Sequence, residues 1–279
     1  MKVNWFLESD LFENLDRLIA EIKAQGHNLT ILSNKSHWDT KLCDLFDDKD
    51  CVIFYGSIQM GATVNRETPW LPGLYCTTPN YDCTKYYPLF GEYLLNSNYA
   101  MVPYGDLIRR KDWLYEHLGI DDTIFIRPNK GNKIFTGKSI YKDYFEKDYE
   151  LLGFYDVDPH ELCVVAEPRN VEKEWRFLIV DGAIVAGSEY TPDTRDIFPA
   201  DSNEDDNCAI GTAVAALSSN SYSPDRAWTL DVCKTSAGNF YVLEVGCFSC
   251  AGLYGMNMEK VVRKISELAV EDWKEVYEK

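Results

Sequence analysis

The segment TLDVCKTSAGNFYVLEVG, residues 229–246, holds two carboxylates at a spacing that could share a cation. Thr229 to Cys233 and Phe240 to Val245 have the β-branched and aromatic content of strands, and Ser236-Ala237-Gly238-Asn239 forms a four-residue turn between them. Counting back from that turn opposes Thr235 to Phe240, Cys233 to Val242 and Asp231 to Glu244. Directly opposed residues share one face of a strand pair. Like charges in that position repel, and burial raises the cost. A divalent cation between them removes it. All-oxygen ligation suits Mg²⁺ or Mn²⁺, with waters and substrate phosphates as the remaining ligands. A solvent-facing strand pair in a shifted register is the plainer reading of the same residues.

Other residue types narrow the chemistry. The chain has 279 residues and a formal charge of −17, from 28 Lys and Arg against 45 Asp and Glu. That balance argues against a general grip on nucleic acid, which depends on neutralising phosphates. It makes local basic clusters informative: Arg109-Arg110-Lys111, and Lys130, Lys133, Lys138 and Lys142. A basic loop in an acidic protein suits a small polyanion such as a nucleotide; a solvated charged loop is the alternative. The four histidines (27, 37, 117 and 160) lack partners at any telling spacing, so no nucleophilic triad is visible. The nine cysteines are scattered and mostly lie in apolar runs, where they read as small buried hydrophobes. Cys247 and Cys250 form a CxxC, but no second pair at matching spacing suggests zinc.

The elements around these residues follow from periodicity. Met1 to Phe6, Leu29 to Leu32 and Cys51 to Tyr55 read as strands, with a helix through Leu15, Leu18 and Ile22 between the first two. This is a parallel α/β unit without a GxGxxG fingerprint. Residues 66–104 read as a long irregular connection with weak helix near Tyr86 to Leu95. Asp106 can cap a helix from Leu107 to Leu118, on which Lys111 falls within the apolar stripe, either snorkelling or facing an anion. A strand, TIFIRP, ends in Arg127-Pro128 and leads into the Gly/Lys loop. Leu162 to Ala166 and Glu174 to Val180 are further strands, and Asp181-Gly182 signals a type I′ hairpin. Residues 200–207 read as an acidic loop, and Glu259 to Tyr277 as an amphipathic helix.

The order of these features resembles the ATP-grasp superfamily, and within it a divergent clade common in phage genomes. FIRPNKGNKIFTGKS and KEWRFLIVDG carry the resemblance over about residues 105–260, and FYGSIQMG and PGLYCTTPNYDC are similar to the clade's preceding domain. The resemblance implies an α/β (α+β) fold of two subdomains clasping ATP. A small Rossmann-like domain over 1–104 would precede an ATP-grasp domain over 105–279, with a lid over about 105–165 and a metal-binding part over about 166–279. It implies that Lys111 and Arg127 contact the α- and β-phosphates. The loop from Lys130 through Lys133 to Lys138 would cover them. Glu167 would end the strand that reads adenine, Glu174 would hold the ribose, and Arg176 would neutralise the transferred phosphoryl. Asp231 and Glu244 would hold Mg²⁺. The family's third ligand, an asparagine two residues past the glutamate, is Gly246 here; Ser249 or Asn257 could substitute. Ser249, Cys250 and Tyr254 could line an acceptor site.

The implied reaction is ATP-dependent ligation of a carboxylate to an amine through an acyl phosphate, forming a C–N bond. A nucleotide-binding module without chemistry and a phosphotransferase are the alternatives. The expected partners are ATP and small-molecule or peptide substrates, with the oligomeric state, including a dimer, left open. No apolar run reaches about 18 residues, and the acidic N-terminus does not read as a secretory signal. The expected compartment is therefore a cytoplasm, the host's if the protein is phage-encoded.

Overall fold

The computed structural model describes residues 1–9, 11–33, 41–132, 134–153, 156–200 and 202–278. Its first sheet is built from β1 (Asn4–Glu8), β2 (Asn28–Leu32), β3 (Cys51–Tyr55) and β4 (Leu71–Gly73), all parallel, in the order β2-β1-β3-β4. Helices α1 (Leu15–Ala24) and α2 (Ile58–Glu67) supply the crossovers. Trp5, Leu7, Ile53 and Tyr55 pack into one core, while Phe6, Val52 and Phe54 pack with Met60, Val64 and Trp70 on the other face. Both faces are covered, which is why β1 and β3 are near-continuous apolar runs rather than alternating ones. The connection after β4 is more ordered than its composition suggests. It contains α3 (Cys83–Phe90), whose Tyr86, Tyr87 and Phe90 are buried.

The second sheet is antiparallel, in the order β5-β8-β6-β7: β5 (Tyr99–Pro103), β6 (Thr123–Pro128), β7 (Lys138–Tyr141) and β8 (Leu162–Ala166). Because β5 pairs along its length with β8, this sheet begins at Tyr99, a few residues ahead of the expected boundary at 104. Helices α4 (Leu107–Leu118) and α5 (Phe145–Gly153) accompany it, and Leu107, Leu114 and Leu118 bury the stripe of α4 against Ile124, Ile126 and Val165.

The third sheet carries β9 (Val171–Val180), β10 (Ala183–Thr191), β11 (Arg195–Asp196), β12 (Ala227–Thr235) and β13 (Phe240–Cys247), antiparallel in the order β11-β10-β9-β12-β13. Asp181 and Gly182 both have positive φ, 47° and 79°, as a type I′ turn requires. Helix α6 (Glu204–Ser218) covers one face through Ala209, Ala213 and Ala216. On the other face α7 (Met258–Tyr277) packs Val261, Ile265 and Leu268 against both this sheet and the first one. Among the described residues the fold is thus mixed α/β with three sheets.

Two expectations are corrected. Residues 204–207 are not loop but the first turn of α6. Asn203 and Asp206 form a reciprocal capping box there, and fully buried Asp206 accepts from Arg195 and Trp175. The helix escaped the sequence reading because its buried side is alanine, which leaves no periodic stripe of large residues. The β12–β13 pairing also differs in detail. Asp231 does oppose Glu244, but Cys233 opposes Tyr241 and Lys234 opposes Phe240. The turn closes one residue out of the counted register, and a bulge at Leu243 restores it before the carboxylates are reached.

Candidate functional site

Strands β9, β12 and β13 bring three sequence-identified residues side by side. Arg176 on β9 is opposite Asp231 on β12, which is opposite Glu244 on β13. Asp231 is only 1% exposed. It is held by a two-pronged bond, Arg176 Nε donating to Oδ1 at 2.7 Å and Nη2 to Oδ2 at 2.6 Å. Arg176 Nη1 also donates to the Gly252 carbonyl at 3.2 Å. Its guanidinium lies over the rings of Tyr190 and Tyr254, which stack on each other 4.5 Å apart. From the second sheet Arg127 Nη2 reaches Glu244 Oε2 at 3.0 Å, and Glu244 Oε1 is 4.0 Å from Arg176 Nη2.

Glu174 completes the acidic group. The Tyr190 hydroxyl lies 2.7 Å from Glu174 Oε2 and 3.2 Å from Asp231 Oδ2. Burial pushes the Glu174 carboxyl above the usual range, and the charges on Asp231 and Glu244 push the same way. Burial also raises the Tyr190 hydroxyl, with Asp231 adding to it, so it remains a donor. Tyr190 was not identified from sequence. It sits at a bulge, between the Glu189–Trp175 and Thr191–Glu174 pairs, and nothing in the local pattern marks such a bulge.

Two cavities meet at this cluster. One, of about 340 Å³, lies between the second and third sheets and is lined by residues including Phe125, Arg127, Gly137, Glu174, Tyr190 and Glu244. The other, of about 250 Å³, lies between the segment that follows the first sheet and the third sheet and includes Cys76, Tyr81, Arg176, Glu244, Cys250 and Tyr254. Glu244 belongs to the walls of both.

The donor set fits Mg²⁺. Asp231 and Glu244, opposed across β12 and β13, offer the hard oxygens that Mg²⁺ takes, although Arg176 holds both Asp231 oxygens here, and Glu174, raised first by burial and then by the charges on those two, stands beside them. A third ligand at position 246 does not fit. A Cβ there would lie 2.8 Å from Thr229 Oγ1, so glycine is the residue this pairing accommodates. Ser249 is fully buried and its hydroxyl accepts from Tyr75 N, so it is a strut behind the cavity wall. Asn257 caps α7 by accepting from Lys260 N. Neither is placed to substitute for the asparagine.

The remaining candidates are more scattered. Lys111 donates to Glu146 at 2.8 Å and lies over the Phe145 ring, and neither cavity includes it. Lys138 donates to Asp148 at 2.7 Å, and Lys130 pairs with Glu161. Lys133 lies outside the described residues. Glu167 holds Asn98 and Arg169, each at 2.8 Å. Arg109 and Arg110 pair with Asp106. Tyr254 and Cys250 line the smaller cavity.

A family model described as the ATP-grasp domain, R2K clade family 3, matches residues 97–265. No curated protein matches the chain. Among solved structures the fold is similar to D-cycloserine synthetase DcsG, with a TM-score of 0.59 and 12% identity over 95% of this chain and 99% of that one. It is also similar to N5-carboxyaminoimidazole synthetase from Staphylococcus aureus complexed with ADP, with a TM-score of 0.57 and 13% identity over 88% and 70%. A third is the ATP-grasp ligase PsnB complexed with a minimal precursor, with a TM-score of 0.56 and 12% identity over 97% and 99%. At these identities the likeness concerns the fold.

Proposed function

The chain belongs to the ATP-grasp domain family, R2K clade family 3, and from that premise we propose that it is an ATP-dependent ligase joining a carboxylate to an amine. The observation that carries the reading is Glu244 in the shared wall of two cavities, with Arg127 on one side and Arg176 on the other. ATP would occupy the larger cavity, with Glu174 on its ribose and Arg127 on its phosphates, and the γ-phosphate would point through the junction. The acceptor carboxylate would lie in the smaller cavity beside Arg176 and Tyr254.

In the first step an oxygen of that carboxylate attacks the γ-phosphorus and the bond to the β-phosphate oxygen breaks, giving ADP and an acyl phosphate. In the second an amine attacks the acyl carbon, loses a proton, and inorganic phosphate leaves. Asp231 and Glu244 would hold Mg²⁺, which supplies charge neutralisation on the phosphates when bound. The protein's own contribution is positioning and electrostatic stabilisation. Arginine forks onto phosphate oxygens and keeps its charge. The half-buried Tyr190 hydroxyl, 2.7 Å from Glu174 and 3.2 Å from Asp231, helps to position both carboxylates, and the smaller cavity would shield the acyl phosphate from water.

The test is Mg²⁺- and acceptor-dependent release of ADP, with hydroxylamine trapping the acyl phosphate as a hydroxamate. Glu244→Ala is expected to abolish both signals. Full activity in that variant would sink the assignment. Gly246 favours a second reading, a nucleotide-binding module without ligation, because the residue that would complete the metal site has no room. Mg·ATP binding by calorimetry with no turnover against broad carboxylate and amine mixtures would support it. Phosphorylated product without a hydroxamate would indicate a phosphotransferase.

A further inference from the structure

Outside the nucleotide chemistry, the fold assembles a second group of ligands that the chain keeps far apart. Cys76 follows β4 in the first domain, Cys247 ends β13, and Cys250 closes the short turn after it. Their sulfurs all lie within 4.8 Å of one another, and Cys76 Sγ is 2.7 Å from Cys247 Sγ. The two segments are clasped together. Tyr75 N donates to Ser249 Oγ at 2.9 Å, Ser249 N to the Tyr75 carbonyl at 3.4 Å, and Gly56 N to the Ser249 carbonyl at 2.9 Å. Ser249 is fully buried within this clasp, so the thiols are held by backbone rather than by loose side chains. Among the described residues this is the group of three or more His, Cys, Asp and Glu whose ligand atoms converge this closely.

We propose that Cys76, Cys247 and Cys250 form a three-thiolate site for Zn²⁺, with its fourth coordination position open to the smaller cavity. The geometry suits that ion. Zn–S bonds of about 2.3 Å in a tetrahedron separate the sulfurs by about 3.8 Å. The cluster already spans less than 4.8 Å, and the close Cys76–Cys247 pair needs to open by about 1 Å. The three cysteines line the cavity that also contains Arg176, Glu244 and Tyr254, so the vacant position faces the place where an acceptor would sit. A zinc with three protein ligands keeps that position for water or a substrate donor. Soft sulfur and hard oxygen would sort the two metals, zinc to the cysteines and Mg²⁺ to the carboxylates. Zinc takes its cysteine ligands as thiolates, so binding releases thiol protons and tightens as pH rises. The proposal stands whether or not the ligase reading holds.

The experiment uses the full chain with its exposed Cys43 and Cys208 changed to serine. The protein is reduced, stripped with chelator, reconstituted with Zn²⁺ and desalted, and bound metal is measured by mass spectrometry. One zinc per chain is expected. Each of Cys76→Ser, Cys247→Ser and Cys250→Ser should lose the zinc on desalting, while Asp231→Asn retains it. Co²⁺ in place of Zn²⁺ should give the intense near-ultraviolet band of thiolate-to-cobalt charge transfer. Absence of retained zinc and of that band overturns the proposal. So does retention of zinc in the variant lacking all three cysteines. Loss of two titratable thiols and two hydrogens from the intact mass without metal would show a disulfide instead, and also overturns it. Circular dichroism identifies a variant that does not fold; the cobalt spectrum of the parent protein decides the question without it.

Discussion

Replacing Arg176 by methionine tests whether Asp231 is a cation ligand. In the structure Arg176 is the cation, with two bonds of 2.7 and 2.6 Å to a carboxylate that is 1% exposed. Removing one member of a buried pair leaves the other uncompensated and costs about 3–5 kcal/mol. Methionine preserves much of the stem packing against Tyr190 and Tyr254, so the loss is mainly electrostatic. At roughly 2–4 °C per kcal/mol for a domain of this order of size, the melting temperature should fall by about 6–20 °C. Mg²⁺ without nucleotide should return part of that loss. The ion and the guanidinium neutralise the same carboxylate, so deleting one raises the affinity for the other. A 10-fold tighter site gives about 1.4 kcal/mol more stabilisation at saturating Mg²⁺.

The assay is unfolding of the wild type, R176M, D231N and the double variant, each with and without Mg²⁺. The double variant should lose less than R176M, because no charge is left stranded. A cost below about 1 kcal/mol in R176M would refute the buried-charge argument. An equal response to Mg²⁺ in R176M and in the double variant would refute Asp231 as the ligand.

Glu174 carries a pH dependence. Its folded pKa is raised, first by burial, so its protonated form favours the folded state, and that advantage is lost as pH rises from the ordinary carboxylate value of 4.5 through the folded one. Glu174→Gln should therefore be more stable than wild type at neutral pH, with the difference vanishing below pH 4.5; a difference that persists in acid contradicts this. Gly246→Asn should cost about 1–3 kcal/mol by crowding Thr229 Oγ1, and Thr229→Ala in the same chain should recover much of it; a single variant as stable as wild type contradicts the close approach. Arg127→Met should weaken ATP binding by calorimetry by at least about 10-fold, the loss of a charged bond of about 1.5–3 kcal/mol. Lys111→Met, whose amine is held by Glu146 away from both cavities, should leave ATP affinity near the wild-type value. A comparable loss in both would return Lys111 to the phosphates.

Much of the fold was legible because periodicity and punctuation agreed. The apolar run Cys51–Tyr55, the stripe and terminal glycine of Leu107–Leu118, and TIFIRP all match their elements. Elements that depend on partners were not. Helix α6 shows only alanines to its sheet, and its acidic first turn looks like a solvated loop until Arg195 and Trp175 are brought to Asp206. Helix α3 was legible only as weak helix near Tyr86 to Leu95; it lies earlier, at Cys83–Phe90, carries Pro88 and is held by burying Tyr86, Tyr87 and Phe90.

The site was legible to the extent that its members lie on neighbouring strands. A hairpin count can oppose Asp231 and Glu244 because both belong to one local unit, and even there the answer survived through compensation. The turn closes one residue out of the counted register and the Leu243 bulge cancels the error. The alternation of β9 then sets Arg176 opposite Asp231, but only the assembled sheet shows it spent on a carboxylate. What the chain conceals is proximity across elements. Cys247 and Cys250 lack a second pair in the sequence, and their partner, Cys76, is separated from Cys247 by 171 residues. Lys111 of the apolar stripe meets the opposite case, a carboxylate neighbour on α5, Glu146, that the sequence does not place beside it. Ligand-type residues with no local partner therefore gain or lose a chemical role according to what the sheets bring beside them. For this chain the proposed nucleotide site draws on Arg127, Glu174, Asp231 and Glu244, which the sheets bring together, and the proposed zinc site on cysteines that they bring together elsewhere.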